Sequence, residues 1–155
     1  MEVAPRWAVD TAGRREIIAV VLGIHNPKRM WLVAWLGGAG VGVANGVLRE
    51  ATLAKVLDED DANRTSAAAA LVAFALYFDL LQGRWPLRER AEAIEVGAAW
   101  LTLTVGFEFG FGRAVAKKSW KELGADYNLR RGRLWPVVLA SIALGPELAR
   151  RRSQR

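Results

Sequence analysis

The amino-acid sequence predicts an all-α protein, a four-helix transmembrane bundle with an interfacial N-terminal helix and a short amphipathic helix in the last loop. The chain has 155 residues, of which 52% are hydrophobic and 25% are charged. The hydrophobic fraction is high for a soluble protein that carries this much charge, which suggests that apolar and charged residues are segregated along the chain. Apolar residues are concentrated in four blocks, near 30–48, 67–81, 94–112 and 134–148, with basic residues between and after them.

The first block has the clearest pattern of a membrane-spanning helix. Its run MWLVAWLGGAGVGVANGVL, from Met30 to Leu48, contains no charged residue. As a helix it rises about 28 Å, close to the ~30 Å of bilayer hydrocarbon. It also lacks the polar face that a helix of a water-soluble bundle carries. Trp31 and Trp35 stand at its start, where aromatic residues are expected at the interface.

The later blocks have weaker boundaries. In the second block, Thr65 and Ser66 are candidate N-caps. The fourth block is the shortest and fits the membrane least well. Before it, Ser119 and Glu122 have the spacing of a capping box, which predicts the short helix lying in the headgroup layer.

These blocks divide the chain into three segments. Residues 1–29 are predicted to be an N-terminal interfacial or flexible segment, because their apolar run Ile17–Ile24 is too short to span a bilayer. Residues 30–149 form the four-helix membrane domain, and residues 150–155 form a basic C-terminal tail. Lys and Arg are divided almost equally between the two predicted sides, so charge does not fix the orientation.

Composition excludes several kinds of site. The net charge of +6 and pI near 10.3 suit either nucleic acid or anionic lipid headgroups. The aromatic residues lie in or beside the apolar blocks rather than among the basic clusters, which favours lipid over nucleic acid. The chain has no cysteine and His25 as its single histidine, so we expect no metal site and no cofactor.

Glycines form two regularly spaced stripes. Gly38, Gly42 and Gly46 recur at every fourth position of the first block, and Gly106 and Gly110 repeat the spacing in the third. In a soluble helix each glycine costs roughly 1 kcal/mol relative to alanine. In lipid, small residues let helices approach closely, so these five are predicted to be helix-packing glycines.

The polar residues inside the blocks predict an intramembrane polar pair. The first and third of four antiparallel-connected helices run in the same direction, so their ends bring Arg49 and Glu108 to one face. A carboxylate in lipid requires a partner. We therefore predict a buried Arg49–Glu108 contact, with Asn45 one turn before Arg49 bonding nearby. Its role is either structural or the handling of protons, ions or a ligand.

The loop before the fourth block belongs to the same side. Asp126, Tyr127, Asn128 and Arg133 are predicted to close over the pair and form the rim of a polar pocket. As a set, Asp126, Tyr127 and Asn128 fit a turn better than a catalytic group.

Several motifs resemble an uncharacterised family of small bacterial four-helix integral membrane proteins. They are NGVLRE in the first block and FEFGFGR, SW, DYN and GRLWP in the later region. The similarity extends over about Trp31 to Pro146. It implies a multi-pass protein of the bacterial inner (plasma) membrane, and it carries no known activity.

The sequence contains no nucleophile–base pair, phosphate-binding loop or metal spacing, so we expect no catalytic residues and no enzyme. A non-enzymatic packing, assembly or binding protein is the first hypothesis. Its partners would be the lipid bilayer and itself or another membrane protein. The alternative is a small homo-oligomeric transporter or channel that uses the Glu108–Arg49 pair, and a lipid-modifying enzyme is a third.

Overall fold

The computed structural model describes residues 26–114, 117, 119–120, 124, 127 and 133–155. Of these residues 87% are helical and none lies in a strand, which confirms the all-α prediction. The predicted N-terminal interfacial helix lies outside the described residues, and so does most of the predicted short helix in the last loop. The described residues form four long helices. The first, α1, runs Pro27–Leu48, continues as the π-helix Arg49–Leu53 and ends with Ala54–Val56. The others are α2 (Glu59–Arg84), α3 (Arg90–Ala114) and α4 (Trp135–Ser153).

Three of these helices are long and apolar enough to cross a membrane: Pro27–Val56, Glu59–Arg84 and Arg90–Ala114. At most 33% of the residues in their most apolar stretches are buried, so much of the outer surface is hydrocarbon. A water-soluble monomer rarely exposes so much apolar surface, whereas a bilayer accommodates it. The exposed apolar side chains include Val33, Leu36, Val43, Val47, Val72, Leu76, Leu80, Leu103 and Phe107.

The beginning of α2 differs from the prediction. Asp58 is its N-cap, and the Asp58 carboxylate accepts a hydrogen bond from the backbone N–H of Asp61 at 2.9 Å. Acidic residues fill the first turn, where the positive end of the helix dipole stabilises them. The helix therefore starts before Thr65 and Ser66, and these two residues lie inside it.

The helices form a bundle in which α1 contacts α2 and α3, and α4 contacts the same two helices. α1 and α3 run in the same direction. An ion pair joins them near their N-terminal ends, between the Lys28 ammonium and the Glu95 carboxylate at 3.1 Å. α2 and α4 run the opposite way, so the start of α1 and the end of α4 lie at the same end of the bundle.

The core at this end is aromatic. Trp31 stacks on Phe78 with ring centroids 5.8 Å apart, and Trp100 meets Phe78 edge-on at 5.2 Å. The Trp31 indole donates to the Trp85 carbonyl and the Trp100 indole donates to the Trp31 carbonyl, both at 2.9 Å. Trp31 is completely buried, so it belongs to the core of the bundle rather than to its outer surface. Its place near the end of the apolar block does not reveal that α2 and α3 cover it.

Close helix packing uses glycines outside the predicted stripes. A methyl group on Gly97 would overlap the Ala143 carbonyl oxygen, so α3 and α4 are in backbone contact there. Gly145 likewise leaves room for the Phe78 ring, and Gly37 for the Tyr77 hydroxyl.

The predicted glycine stripes contain two kinds of position, one in close contact with another helix and four beside open space. Gly38 lies against the Trp100 ring, where a methyl group would come within 2.6 Å of Cζ3. Beside Gly42, Gly46, Gly106 and Gly110 none of the described residues lies within 4 Å of an added methyl group. Among the described residues, these four glycines therefore form no close helix contact.

The C-terminal basic residues are part of α4 rather than a separate tail, as far as Ser153. Buried Glu147 accepts hydrogen bonds from Arg150 at 2.7 Å and from Arg151 at 2.6 Å. Arg152 pairs with Asp79 of α2 at 2.9 Å. The Arg152–Asp79 pair joins the end of α4 to α2, and the predicted basic tail is helical as far as Ser153.

The first prediction concerns the contact between α3 and α4. Gly97→Ala should strongly lower the melting temperature in detergent, because the backbones must separate, at a cost of about 1–3 kcal/mol or more. Gly106→Ala on the same helix is the matched control, since its added methyl group meets open space. Equal melting temperatures for the two variants would contradict the observed contact.

The second prediction concerns Glu147 of α4, whose carboxylate accepts from Arg150 at 2.7 Å and from Arg151 at 2.6 Å. The Glu147 and Arg150 side chains are only 10% and 12% exposed, so removing the negative charge leaves a largely buried guanidinium without its counter-ion. Breaking a buried ion pair in this way costs about 3–5 kcal/mol.

Glu147→Gln should therefore clearly lower the melting temperature in detergent. Glu95→Gln is the control, because it removes a carboxylate from the pair with Lys28, whose side chains are 40% and 64% exposed and which should contribute little to stability. Equal losses of melting temperature in the two variants would contradict the prediction.

Candidate functional site

A polar cavity of about 220 Å³ lies in the half of the bundle opposite the aromatic core. It is bounded by the second half of α1, the first turns of α2, the end of α3 and the start of α4. Its polar lining residues are Asn45, Arg49, Asn63, Ser66, Glu108, Arg133 and Trp135. The predicted polar residues Asn45, Arg49, Glu108 and Arg133 therefore share one cavity.

Arg49 begins the π-helical segment of α1, a local irregularity that is frequent at functional sites. Its guanidinium donates to the Asn63 side-chain oxygen at 2.5 Å and to the Glu50 carboxylate at 2.6 Å. It does not bond to Glu108, so the predicted direct contact is not formed. The antiparallel α2 follows α1 directly and places Asn63 beside Arg49.

Glu108 is held from the other side of the cavity. One of its carboxylate oxygens accepts the Tyr127 hydroxyl at 2.7 Å and the Trp135 indole N–H at 2.8 Å. The residue is half-buried, so these donors replace part of the water that a carboxylate otherwise requires. Both of these donors are uncharged groups.

Asn45 also has a different partner from the one predicted. Its amide donates to the Ser66 hydroxyl at 2.8 Å and to the Ser66 carbonyl at 3.2 Å. These bonds join α1 to α2 below Arg49. Asn45 therefore lines the cavity with Arg49 and Glu108 without bonding to either.

The predicted rim is partly described. Tyr127 reaches Glu108, and its ring lies 5.9 Å from that of Phe109. Arg133 lines the cavity and forms an ion pair with Glu59 at 2.6 Å. Asp126 and Asn128 lie outside the described residues, and so their predicted rim positions stay predictions.

A second, apolar space adjoins the cavity. It is a groove of about 200 Å³ between α1 and α3. Trp35, Val43 and Phe107 line its sides, and Thr104 is among its few polar residues. Gly42, Glu108 and Trp135 border both spaces, so the apolar groove continues into the polar cavity.

The structure adds Asn63, Ser66 and Trp135 to the predicted site residues. Ser66 belongs to a series at every fourth position that also contains Ala62, Ala70, Phe74 and Phe78 and faces the core. That spacing was a usable signal for the inward face of α2. No comparable signal connects Trp135 to Glu108, because their contact depends on how the last loop returns α4 to α3.

The cavity offers arginine, amide and indole donors around one carboxylate. This arrangement suits the binding of a polar or anionic group. The Ser66 hydroxyl bonds to the Asn45 amide, which cannot act as a general base. Within the described part of the chain, no cluster of three or more histidine or acidic side chains is placed to hold a metal ion.

Comparison of the chain with protein-family models, curated proteins and solved structures finds no match. The resemblance to the bacterial membrane family therefore stays a prediction.

Proposed function

We propose that this chain is a small multi-pass integral membrane protein of the bacterial plasma membrane that binds a ligand in its polar cavity and catalyses no reaction. The observation that carries the proposal is the placement of Arg49, Glu108 and Arg133 around a cavity between three apolar helices. Polar residues among membrane helices are costly and usually functional.

The contacts of α4 support a bundle in which all four helices cross the membrane. Near its C-terminal end Arg152 pairs with Asp79, and at its start Trp135 bonds to Glu108. α4 therefore extends along the bundle between one end of α2 and the opposite end of α3. Its 19 residues rise about 28 Å, which is enough for a bilayer. Its less apolar composition is tolerable because one face is buried against α2 and α3.

The depth of the cavity supports a binding role. The apolar run of α1 ends at Leu48, and that of α3 ends near Arg113. A cavity beside Arg49 and Glu108 is therefore close to one membrane boundary, where water and lipid headgroups both have access. A ligand can reach it without crossing the hydrocarbon.

Transport is the second candidate, because a cavity reaches the ionisable Glu108. Four helices enclose no wide path, so this function requires an oligomer. Assembly through the open faces of Gly106 and Gly110 is available for that purpose.

The third prediction tests the cavity and the membrane setting together. The chain contains no cysteine, so a single introduced thiol reports on its own position. In membrane vesicles, Ala67→Cys in the cavity lining should react at least about tenfold faster with a charged methanethiosulfonate than Val72→Cys. The reason is that the reactive thiolate forms in water and is suppressed in apolar surroundings.

Val72 is the matched control because it lies on the same helix and is 61% exposed on the outer surface. If water surrounded the bundle, the Val72→Cys thiol would react faster than the one at Ala67. That order of reactivity, or an unreactive Ala67→Cys, would overturn the proposed function.

The fourth prediction separates binding from transport. Glu108→Gln keeps an oxygen that can accept from both Tyr127 and Trp135, so its melting temperature should stay near that of the parent. Glu108→Leu leaves both donors without this acceptor, at about 1–3 kcal/mol each, and should melt lower. In proteoliposomes loaded with a pH-sensitive dye, a binding protein should give no proton flux that depends on Glu108.

Flux that Glu108→Gln abolishes while the melting temperature is kept would establish the transporter instead. Equal stability of the Gln and Leu variants would contradict the role of Glu108 as the acceptor for Tyr127 and Trp135.

A further inference from the structure

The apolar groove has the position and lining of a hydrocarbon-binding site. At its closed end the Trp35 indole donates to the Thr104 hydroxyl at 3.1 Å and joins α1 to α3. From there to Val43 the groove follows α1 for about 12 Å. Val43 and Phe107 on its two sides are 53% and 39% exposed, so the groove opens onto the surface that faces lipid in the proposed membrane setting.

The space exists because Gly42 has no side chain to fill it. Gly42 lines both the groove and the cavity, and nothing lies within 4 Å of a methyl group built on it. A gap without contacting atoms loses the dispersion attraction that its walls would otherwise gain. Where the surroundings are acyl chains, an acyl chain is the available molecule that fills an apolar groove.

The polar end of the space favours an anionic group. Arg49 and Arg133 contribute two positive charges to the cavity lining, against one negative charge from Glu108. Glu50 and Glu59 balance the arginines from the outside, since their side chains are 67% and 79% exposed. The Arg49 and Arg133 side chains are 37% and 24% exposed and lie further in.

Arg49 retains capacity for a ligand. A guanidinium has five N–H donors, and Arg49 uses three of them, two on Glu50 and one on Asn63. Phosphate oxygens are among the preferred acceptors of arginine. Asn45 and Ser66 add further polar atoms to the same lining.

The volumes of the groove and the cavity indicate that one ligand fills both. Cavities of about 220 and 200 Å³ are each smaller than typical small-molecule sites of about 300–1,000 Å³. The two adjoining spaces together reach that range. Their occupant must have one polar end and one apolar end, as an amphiphile does.

We propose that one membrane phospholipid binds here, with its phosphate against Arg49 and Arg133 and one acyl chain in the groove between α1 and α3. This inference rests on the proposed function and names its ligand class. The headgroup then lies at the level where the apolar runs of α1 and α3 end. The chain lies along both helices, in the direction of its neighbours in the bilayer.

Native mass spectrometry of the detergent-solubilised full chain with added phosphatidylglycerol tests the proposal. Gly42→Leu adds a side chain at the junction of groove and cavity, where its Cβ meets open space, and Arg49→Gln removes the charge. Each should weaken the tightest phosphatidylglycerol binding by about tenfold or more, as expected for the loss of a charge-assisted hydrogen bond or of the space itself. Diacylglycerol, which lacks the phosphate, should not compete, and neither should inorganic phosphate alone.

The controls are matched in position and type. Gly40→Leu also adds a side chain to open space on α1 but lies outside both linings. Arg64→Gln removes a charge near the same end of the bundle, from a side chain that pairs with Asp61 outside the cavity. Both should bind phosphatidylglycerol as the parent does, and melting curves of all four variants report folding.

Undiminished binding by folded Gly42→Leu or Arg49→Gln would overturn the phospholipid assignment, as would an equal loss in the two controls. Competition by inorganic phosphate alone would show a site for the free anion and likewise overturn it. If Ala67→Cys still reacts as expected in vesicles, the cavity and the proposed binding function remain and only the ligand class is rejected. If the thiol at position 67 is unreactive, the proposed function itself is rejected.

Discussion

The packing of α1 against α3 at one end of the bundle determines the rest of the structure. Trp31 and Trp100 are joined by an indole–carbonyl bond, and Trp35 bonds to Thr104 one turn further on. These large side chains hold the helices together where they meet. Beyond them the facing positions include Gly42 and Gly46, which have no side chains to continue the contact. The groove and the cavity begin where the aromatic contacts end.

The buried polar side chains of the described bundle are hydrogen-bonded, and their partners explain the geometry of the site. In the part of the chain that the structure describes, no buried side-chain nitrogen or oxygen lacks a hydrogen bond. Asn45 is satisfied by Ser66 and Glu108 by Tyr127 and Trp135. Each bond joins different segments, so the network also fixes the cavity walls. Unsatisfied groups would cost more in lipid than in water, because no solvent would replace the missing partner.

Hydropathy along the sequence predicts the apolar helices, whereas the contacts between helices cannot be derived from it. The apolar runs of α1, α2 and α3 follow from composition alone, and the clustering of Arg49 with Glu108 follows from helix direction. Neither their partners nor the burial of Trp31 could be derived, because both depend on which helix lies beside which. Glycine spacing was similarly ambiguous. Gly38 lies in a contact and Gly42 borders an open space, although both belong to the same stripe.

The open space at Gly42 favours an occupant from outside the chain. Gly42 borders both the apolar groove and the polar cavity, and a methyl group added there would meet none of the described residues within 4 Å. Groove walls without contacting atoms lose dispersion attraction, which molecules from the surroundings can supply. Glycine at this position is therefore consistent with a space that is filled from outside the chain, with polar groups beside Arg49 and hydrocarbon beside Phe107.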